Sequence, residues 1–387
     1  MKSIGIYVAT DHSPLLEGLL SYFTMTDAWS LRLECFGELG GSAFDRSLDL
    51  AGVLIDAGQR PRLAQQARDV GVPVVSFATN IESPEFVTVS PDDHEAGRIV
   101  GRHMADRGFR HFAFCGLPPH RFSVRRARGF YEACRNVAES FEEYTPRTND
   151  IWTHYSNSAN RPHLAEWLAA LPRPVGIMVV TDIIARFVLL ACESIGLKIP
   201  EQAIVASVDN NPVICNTVHP TLTSLDLNNK RRGFVAAQWL DRLIAGETPE
   251  SNQILIEPTL VPRRSTDALA TKDQDVVAAL RFIWEHSDRP LSVGNVVAAI
   301  PVSRRSLEIR FKREVGRTMQ AEISRAHVER ATRLLIDTDL PTPMIAERAG
   351  YGDASQLSRA VRQFTGLTPT AYRRRYRHFE PPAYAAQ

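Results

Sequence analysis

The chain has 387 residues, room for two or three domains, and its 44% hydrophobic and 23% charged side chains are those of an ordinary soluble globular protein. The opening MKSIGIYVATDHSP turns polar too early for an export signal, and no apolar run approaches a membrane span, which argues against secreted and membrane-embedded readings and for a cytoplasmic one. The net charge of +1 hides an asymmetry: residues from Arg263 onward carry 21 Lys and Arg against 14 Asp and Glu, or +7, leaving 24 against 30, or −6, for the rest. A basic C-terminal third behind an acidic front predicts different partners for the two parts, with a polyanion for the back.

In chain order, SIGIYVAT (3–10), LRLECF (31–36), AGVLID (51–56), VPVVSF (72–77), HFAFCG (111–116), GIMVVTD (176–182) and AIVASVDN (203–210) are short apolar runs. Helical periods such as EAGRIVGRHMADRG (95–108) and IARFVLLACESIG (184–196) separate several of them. This alternation predicts parallel sheets covered on both faces, in which ligands sit beyond the carboxyl ends of the strands. The residues there are polar: Asp11 after the first run, Asn80 after the fourth, Thr181 and Asp182 after the sixth, and Asp209, Asn210 and Asn211 after the seventh. Such side chains can hold neighbouring hydroxyls of a polyhydroxylated ligand in paired hydrogen bonds, and they can equally cap the following helices. The five cysteines are scattered without CxxC spacing, so they read as reduced thiols and no metal is expected. His12, His94, His103 and His111 fall in no GxSxG elbow, HExxH helix or Walker loop, so neither catalysis nor a cofactor is expected.

The run VTVSPDDHEAGRIVGRHMADRGFRHFAFCG (87–116), RARGF (126–130), VVTD and SVDNN resemble pieces of LacI-type sugar-sensing domains. The resemblance implies two Rossmann-like lobes and puts Arg126, Asp182 and Asp209 at ligand-contacting positions. With Asp11, Asn80, Thr181 and Asn211 these make the candidate sugar site. Thr181 stands where that family usually has Asn.

After residue 274 the β pattern stops and helical periods take over. Val277, Leu280, Ile283 and Trp284 share one face of a first helix. In LSVGNVVAAIPVSRRSLEIRFKREVG (291–316) one helix ends at Pro301, Ser303 caps the next, and Leu307 and Phe311 are buried four apart while Arg304, Arg305, Glu308 and Lys312 point outward. PMIAERAGYGDASQLSRAVRQFTG (343–366) repeats the grammar with a break at Gly350, buries Leu357 and Val361, and frees Ser355, Gln356, Ser358 and Arg359. Between them, residues 321–341 read as one helix long enough to set two recognition helices about one DNA turn, roughly 34 Å, apart.

VSRRSLEIRFKREVG, HVERATRLL, IAERAGYGDASQLSRAVRQFTG and the closing LTPTAYRR resemble the AraC-type DNA-binding domain across nearly all of residues 275–377. The resemblance implies that Arg305, Glu308 and Ile309, then Ala354, Ser355, Gln356, Ser358 and Arg359, face base edges. Arg304, Lys312, Arg373, Arg374 and Arg375 are assigned to phosphates. Val361 departs from the family's usual Phe.

The expected fold is therefore a two-lobed α/β periplasmic-binding-protein-like sensor (1–262), a linker (263–274), and an all-α domain with two helix-turn-helix units (275–387). FAFCGLP, VVTDIIAR, VPRRSTD and LEIRFKREVG resemble bacterial regulators of xylose operons. That resemblance implies a homodimer that binds direct-repeat operators in double-stranded promoter DNA when D-xylose fills the cleft, and activates transcription by RNA polymerase. Another pentose, a hexose, or a sugar phosphate drawn to Arg121, Arg125, Arg126 and Arg128 remains the alternative effector, and repression the alternative outcome.

Overall fold

In the computed structural model, the residues described are 2–7, 13–25, 29–34, 49–58, 60–78, 86–118, 120–144, 146, 155, 161–268 and 273–376. Two six-stranded sheets each form the centre of a lobe. The first comprises β1 (Lys2–Tyr7), β2 (Trp29–Glu34), β3 (Leu50–Ile55), β4 (Val74–Ser76), β5 (Val87–Pro91) and β11 (Gln253–Ile256), in the order β2-β1-β3-β4-β5-β11 with every neighbour parallel. The second comprises β6 (His111–Cys115), β7 (Ser140–Tyr144), β8 (Val175–Val179), β9 (Ala203–Val208), β10 (Thr223–Asp226) and β12 (Thr259–Val261), in the order β7-β6-β8-β9-β10-β12, and only β12 runs antiparallel to its neighbour. β8 and β9 are buried along their full length, which is why they read as unbroken apolar runs in the sequence.

Helices cover both sheets. α1 (Ser13–Phe23) and α2 (Pro61–Asp69) belong to the first lobe, and α3 (Asp93–Ala105), α4 (Arg121–Cys134), α5 (Arg161–Ala170), α6 (Asp182–Ser194) and α7 (Pro212–Thr217) to the second. α8 (Asn229–Ile244) returns to the first lobe against α1. Among the described residues the chain thus crosses between lobes three times: from β5 to α3, from β10 to α8, and from β11 to β12.

Both lobes use the same helix crossing. A Cβ on Gly97 of α3 would lie 2.0 Å from the Arg126 carbonyl oxygen, and one on Gly129 of α4 would lie 2.0 Å from that of His94. In the first lobe, Gly18 of α1 and Gly233 of α8 repeat this, 1.9 Å from the carbonyl oxygens of Lys230 and Leu15. The backbones touch, so glycine is the residue that fits. Cys115, Cys134, Cys192 and Cys215 are buried free thiols of the second lobe.

The C-terminal domain consists of α9 (Gln274–Glu285), α10 (Val293–Ala299), α11 (Arg304–Val315), α12 (Met319–Asp337), α13 (Thr342–Arg348), α14 (Ala354–Thr365) and α15 (Pro369–Tyr376). Its first core gathers Val276, Ile283, Val296, Leu307, Phe311 and Ile323; its second gathers Ala331, Leu335, Ile345, Leu357 and Val361. Val361 is fully buried, and Leu334, Leu340, Tyr351 and Tyr372 pack around that second core.

All seven sequence-predicted strands form. Of the five others, β5 is buried but its VTVSP is broken by polar residues, and β7, β10, β11 and β12 are short or half-exposed. Two expectations are corrected. Residues 263–266 are not a free linker: Arg263, Ser265 and Thr266 are buried, and Ser265 Oγ donates to the Val205 carbonyl at 2.6 Å while accepting from the Thr223 amide at 2.8 Å. α9 has two apolar faces: Val276, Ala279 and Ile283 enter the domain core, while Val277 and Trp284 turn to a cavity of about 430 Å³ shared with Pro174, Pro200 and Pro220 of the second lobe.

Replacing Gly97 by Ala is expected to force α3 from α4 and destabilise the protein by about 1–3 kcal/mol, read as a lower urea midpoint. Gly294→Ala, whose nearest neighbour would be 3.5 Å away, is the silent control.

Candidate ligand cleft and DNA-binding surface

The carboxyl ends of β8, β9 and β10 carry the first site. β8 leads through Val180 into Thr181, which is buried and caps α6: its Oγ1 accepts from the Ile184 amide at 3.4 Å. Asp182, fully buried, faces into the lobe. Its carboxylate accepts from the Ser207 hydroxyl, from Ser224 Oγ at 2.6 Å, from the Asn211 amide at 2.6 Å and from Cys215 Sγ at 3.3 Å. Burial raises its pKa above the ordinary carboxylate value, and those four donors oppose the rise. Asp182 therefore ties β9, β10 and α7 together from within, and its oxygens are committed to protein donors.

What Asp182 holds is the loop after β9. Asp209 has φ +113° and Asn210 φ +49°, backbone conformations that side chains other than glycine rarely adopt. The strain is held by hydrogen bonds from the Asp209 amide to the Leu225 carbonyl at 2.9 Å and from the Asn210 amide to Ser224 Oγ at 3.0 Å. Arg263 fixes Asn210 from behind, donating to its Oδ1 at 2.8 Å. Asn211 is an exposed cap of α7, accepting from Val213 and Ile214 amides at 3.0 and 3.2 Å. Asp209 is the acid this loop presents at the surface. Loss of solvent at its carboxyl pushes its pKa up to about 7; Arg126 opposes that rise and the neighbouring Asp182, Asp93 and Asp226 add to it.

Arg126, on α4, is buried. Its Nε donates to Asp93 Oδ1 at 2.8 Å, a second guanidinium nitrogen lies 2.8 Å from the same oxygen, and a third donates to the Val180 carbonyl at 2.6 Å. The glycine crossing of α3 and α4 brings this pair together. From the first lobe, Arg232 of α8 is buried, donates to the Phe77 carbonyl at 2.8 Å, and adds positive field at Asp93. Asp93 and Arg232 are functional candidates that sequence reasoning missed. Only Arg232 had a signal, an internal repeat of RRARGF on α4 as KRRGF on α8 in which Arg232 stands opposite Arg128; nothing of the kind marks Asp93. Asp11 and Asn80 lie outside the described residues. Of the arginines considered for a phosphate, Arg126 is committed to Asp93, and exposed Arg128 pairs with Glu132 at 2.9 Å on its own helix.

The second site is the free faces of two short helices. Ser303 caps α11 and Asp353 caps α14, the latter accepting from the Gln356 amide at 2.8 Å. Burying Leu307 and Phe311, then Leu357 and Val361, leaves the opposite faces in solvent. On α11, Arg304, Arg305, Glu308, Ile309 and Lys312 are exposed, Ile309 at 58%, and Arg304 pairs with Glu308 at 2.9 Å. On α14, Ser355, Gln356 and Arg359 are exposed, and Ala354 and Ser358 half-buried. Gly350, φ +75°, makes the turn before α14, where a Cβ would meet the Arg289 carbonyl oxygen at 2.6 Å; Gly366, φ +75°, ends the helix. α12 joins the two units. Arg373 is not a free phosphate ligand here. It donates to the Leu335 and Leu340 carbonyls at 3.2 and 2.5 Å, capping the end of α12.

A two-lobed binding fold joined to paired helix-turn-helix units defines a ligand-sensing DNA-binding regulator of transcription. A model of the periplasmic binding protein-like domain matches residues 102–266, and one of the helix-turn-helix domain matches 296–375. The chain is 31% identical to the xylose operon regulatory protein of Escherichia coli over 375 residues, 93% of each chain. It is 27% identical to that of Haemophilus influenzae over 335 residues, 84% of this chain and 85% of the relative. A solved structure described as the xylose-binding transcription activator xylR is 28% identical, with a TM-score of 0.61 over 96% of this chain and 98% of that one. The chain belongs to the xylose operon regulatory protein family. These relatives are transcription regulators, not enzymes, and no described helix is long and apolar enough to cross a membrane.

Asp182→Ala should lower stability by about 2–4 kcal/mol in urea unfolding, because it leaves buried donors unpaired, and should weaken ligand binding with it. If Asp182 served the ligand alone, binding would fall at unchanged stability. Gln356→Ala should cost about 1–3 kcal/mol in binding a preferred duplex while leaving the slope of affinity against salt unchanged, since the lost side chain is neutral.

Proposed function

We propose that the chain is a D-xylose-dependent activator of xylose catabolism genes, working as a homodimer on direct-repeat promoter sites together with RNA polymerase. The observation that carries the effector is the strained 209–211 loop. The protein commits four donors to a buried carboxylate to hold a loop that presents Asp209, and a carboxylate held in place by its loop is an acceptor for neutral hydroxyls. A phosphate would add negative charge beside Asp209, whose ionisation Asp182, Asp93 and Asp226 already disfavour. The names of the relatives supply the particular sugar. Asp209, Arg126 and the residues at the strand ends, Asp11, Asn80, Thr181 and Asn211, form the proposed sugar site, with Asp182 acting through the loop. Arg304, Arg305, Glu308, Ile309, Lys312, Ala354, Ser355, Gln356, Ser358 and Arg359 form the proposed DNA surface. The proposed domains are a sensor ending near residue 268 and a DNA-binding domain starting near 273.

Calorimetric titration with D-xylose, L-arabinose, D-ribose, D-glucose and xylose 5-phosphate tests the effector, and selective heat from D-xylose is the expected result. Its pH dependence tests Asp209. The sugar's hydroxyls favour the ionised acceptor, so affinity is full above the raised pKa of about 7 and is lost as pH falls through it. Between pH 6 and 8 affinity should rise about tenfold, the change in ionised fraction, and Asp209→Asn should remove the slope.

A further inference from the structure

α3 begins at Asp93 in the cleft, and the turn at its far end meets the DNA-binding domain. There His103 and Arg107 are both buried. Arg107 Nε donates to the Thr266 carbonyl at 3.0 Å, and one terminal nitrogen donates to His103 Nδ1 at 2.9 Å. That leaves His103 Nε2 to donate to Thr266 Oγ1 at 3.0 Å, so the imidazole is neutral, as its burial also demands. The other terminal nitrogen of Arg107 leaves the sensor and donates to Glu329 Oε1 on α12 at 3.1 Å. The second oxygen of Glu329 lies 3.7 Å from Arg325 of the same helix, which sits over the Trp284 ring at 5.2 Å and pairs with fully buried Glu322 at 3.4 Å. Asp267, on the tail docked into the second lobe, adds its field to both arginines.

α12 connects the two helix-turn-helix units. We propose that the Arg107–Glu329 pair clamps α12 to the second lobe, so that lobe and DNA-binding domain move as one body and closure of the cleft displaces both recognition helices together. Arg107 and Glu329 are then positioning residues, acting on DNA through α12 and touching neither sugar nor DNA. Three features support a rigid transfer. The glycine crossing fixes α3 against α4; Ser265 and Thr266 lock the end of the sensor into the second lobe; and the hinge, formed by three crossovers, lies on the other side of that lobe. A pair this buried keeps its geometry, because separating it would strand Arg107 unpaired.

The proposal rests on the sugar-responsive reading for its input, and the test separates the two. Full-length wild type, Glu329→Gln and Arg107→Gln are compared for D-xylose binding by calorimetry. Their affinity for a labelled duplex, selected from a random-sequence library by the wild-type protein, is measured by anisotropy with and without D-xylose. Glu329→Gln should bind D-xylose within about threefold of wild type while the sugar-induced change in duplex affinity falls to within about twofold of none. An undiminished sugar response in Glu329→Gln overturns the clamp. A wild type whose duplex affinity ignores D-xylose overturns the effector reading instead. The clamp is then decided by urea unfolding of Arg107→Gln, Glu329→Gln and the double variant: coupled losses support it and additive losses overturn it. If Arg107→Gln fails to fold, Arg107→Lys, which keeps the charge, takes its place in both comparisons.

Discussion

A carboxylate can leave water only where the protein replaces its hydration donor by donor, and in this chain that constraint organises everything downstream of it. Asp182 is the strictest case. Two hydroxyls, a backbone amide and a thiol from β9, β10, α7 and the loop before it converge on one side chain, and no element of that set can shift without stranding a charge. The strained turn at Asp209 survives because its neighbours are over-determined. Asp93 with Arg126, Arg232 with the Phe77 carbonyl, and Arg107 with Glu329 extend the rule. Each of these three sits where two elements must be held in one relation: across the helix crossing, from helix to sheet, or across the domain boundary.

The two domains use charge in opposite ways. In the sensor, ionised groups are spent inward, on fixing the cleft. In the DNA-binding domain, small apolar cores do the fixing, and most charge on α11 and α14 is left in solvent. That division explains how a chain of nearly zero net charge serves both a neutral hydroxylated ligand and a polyanion. It also accounts for the short caps at Ser303 and Asp353: a helix of 12 residues that packs on one face needs its ends satisfied locally.

Much of this was legible from residue types and spacing. Alternating strands and helices, the paired helix-turn-helix grammar, the turns at Gly350 and Gly366 and the start of α15 at Pro369 follow from local propensities. Direction was not legible. Nothing in VVTD tells whether Asp182 points to a cleft or away from it, because both residues after a strand end are polar; its donors Ser207, Ser224 and Cys215 come from elsewhere in the chain. Thr181 and Asn211 turned out to cap helices, the alternative their residue types had always carried. The clamp residues were invisible for a related reason: an Arg after a helix reads as a solvated charge until the fold brings Glu329 to it from 222 positions away. Likewise α9 offered two apolar faces, and periodicity cannot say which one meets the other domain.

The buried thiols have a consequence of their own. Cys115, Cys134 and Cys192 are pushed up to about 12 by burial, and Cys215 is raised as well, so at neutral pH the nucleophilic thiolate is essentially unpopulated in the second lobe. Oxidants and alkylating agents reach these sulfurs only when the lobe breathes. The lobe therefore carries an internal clock: the rate at which an added alkylator consumes these thiols counts opening events, in the same body that joins the effector cleft to the DNA-reading helices.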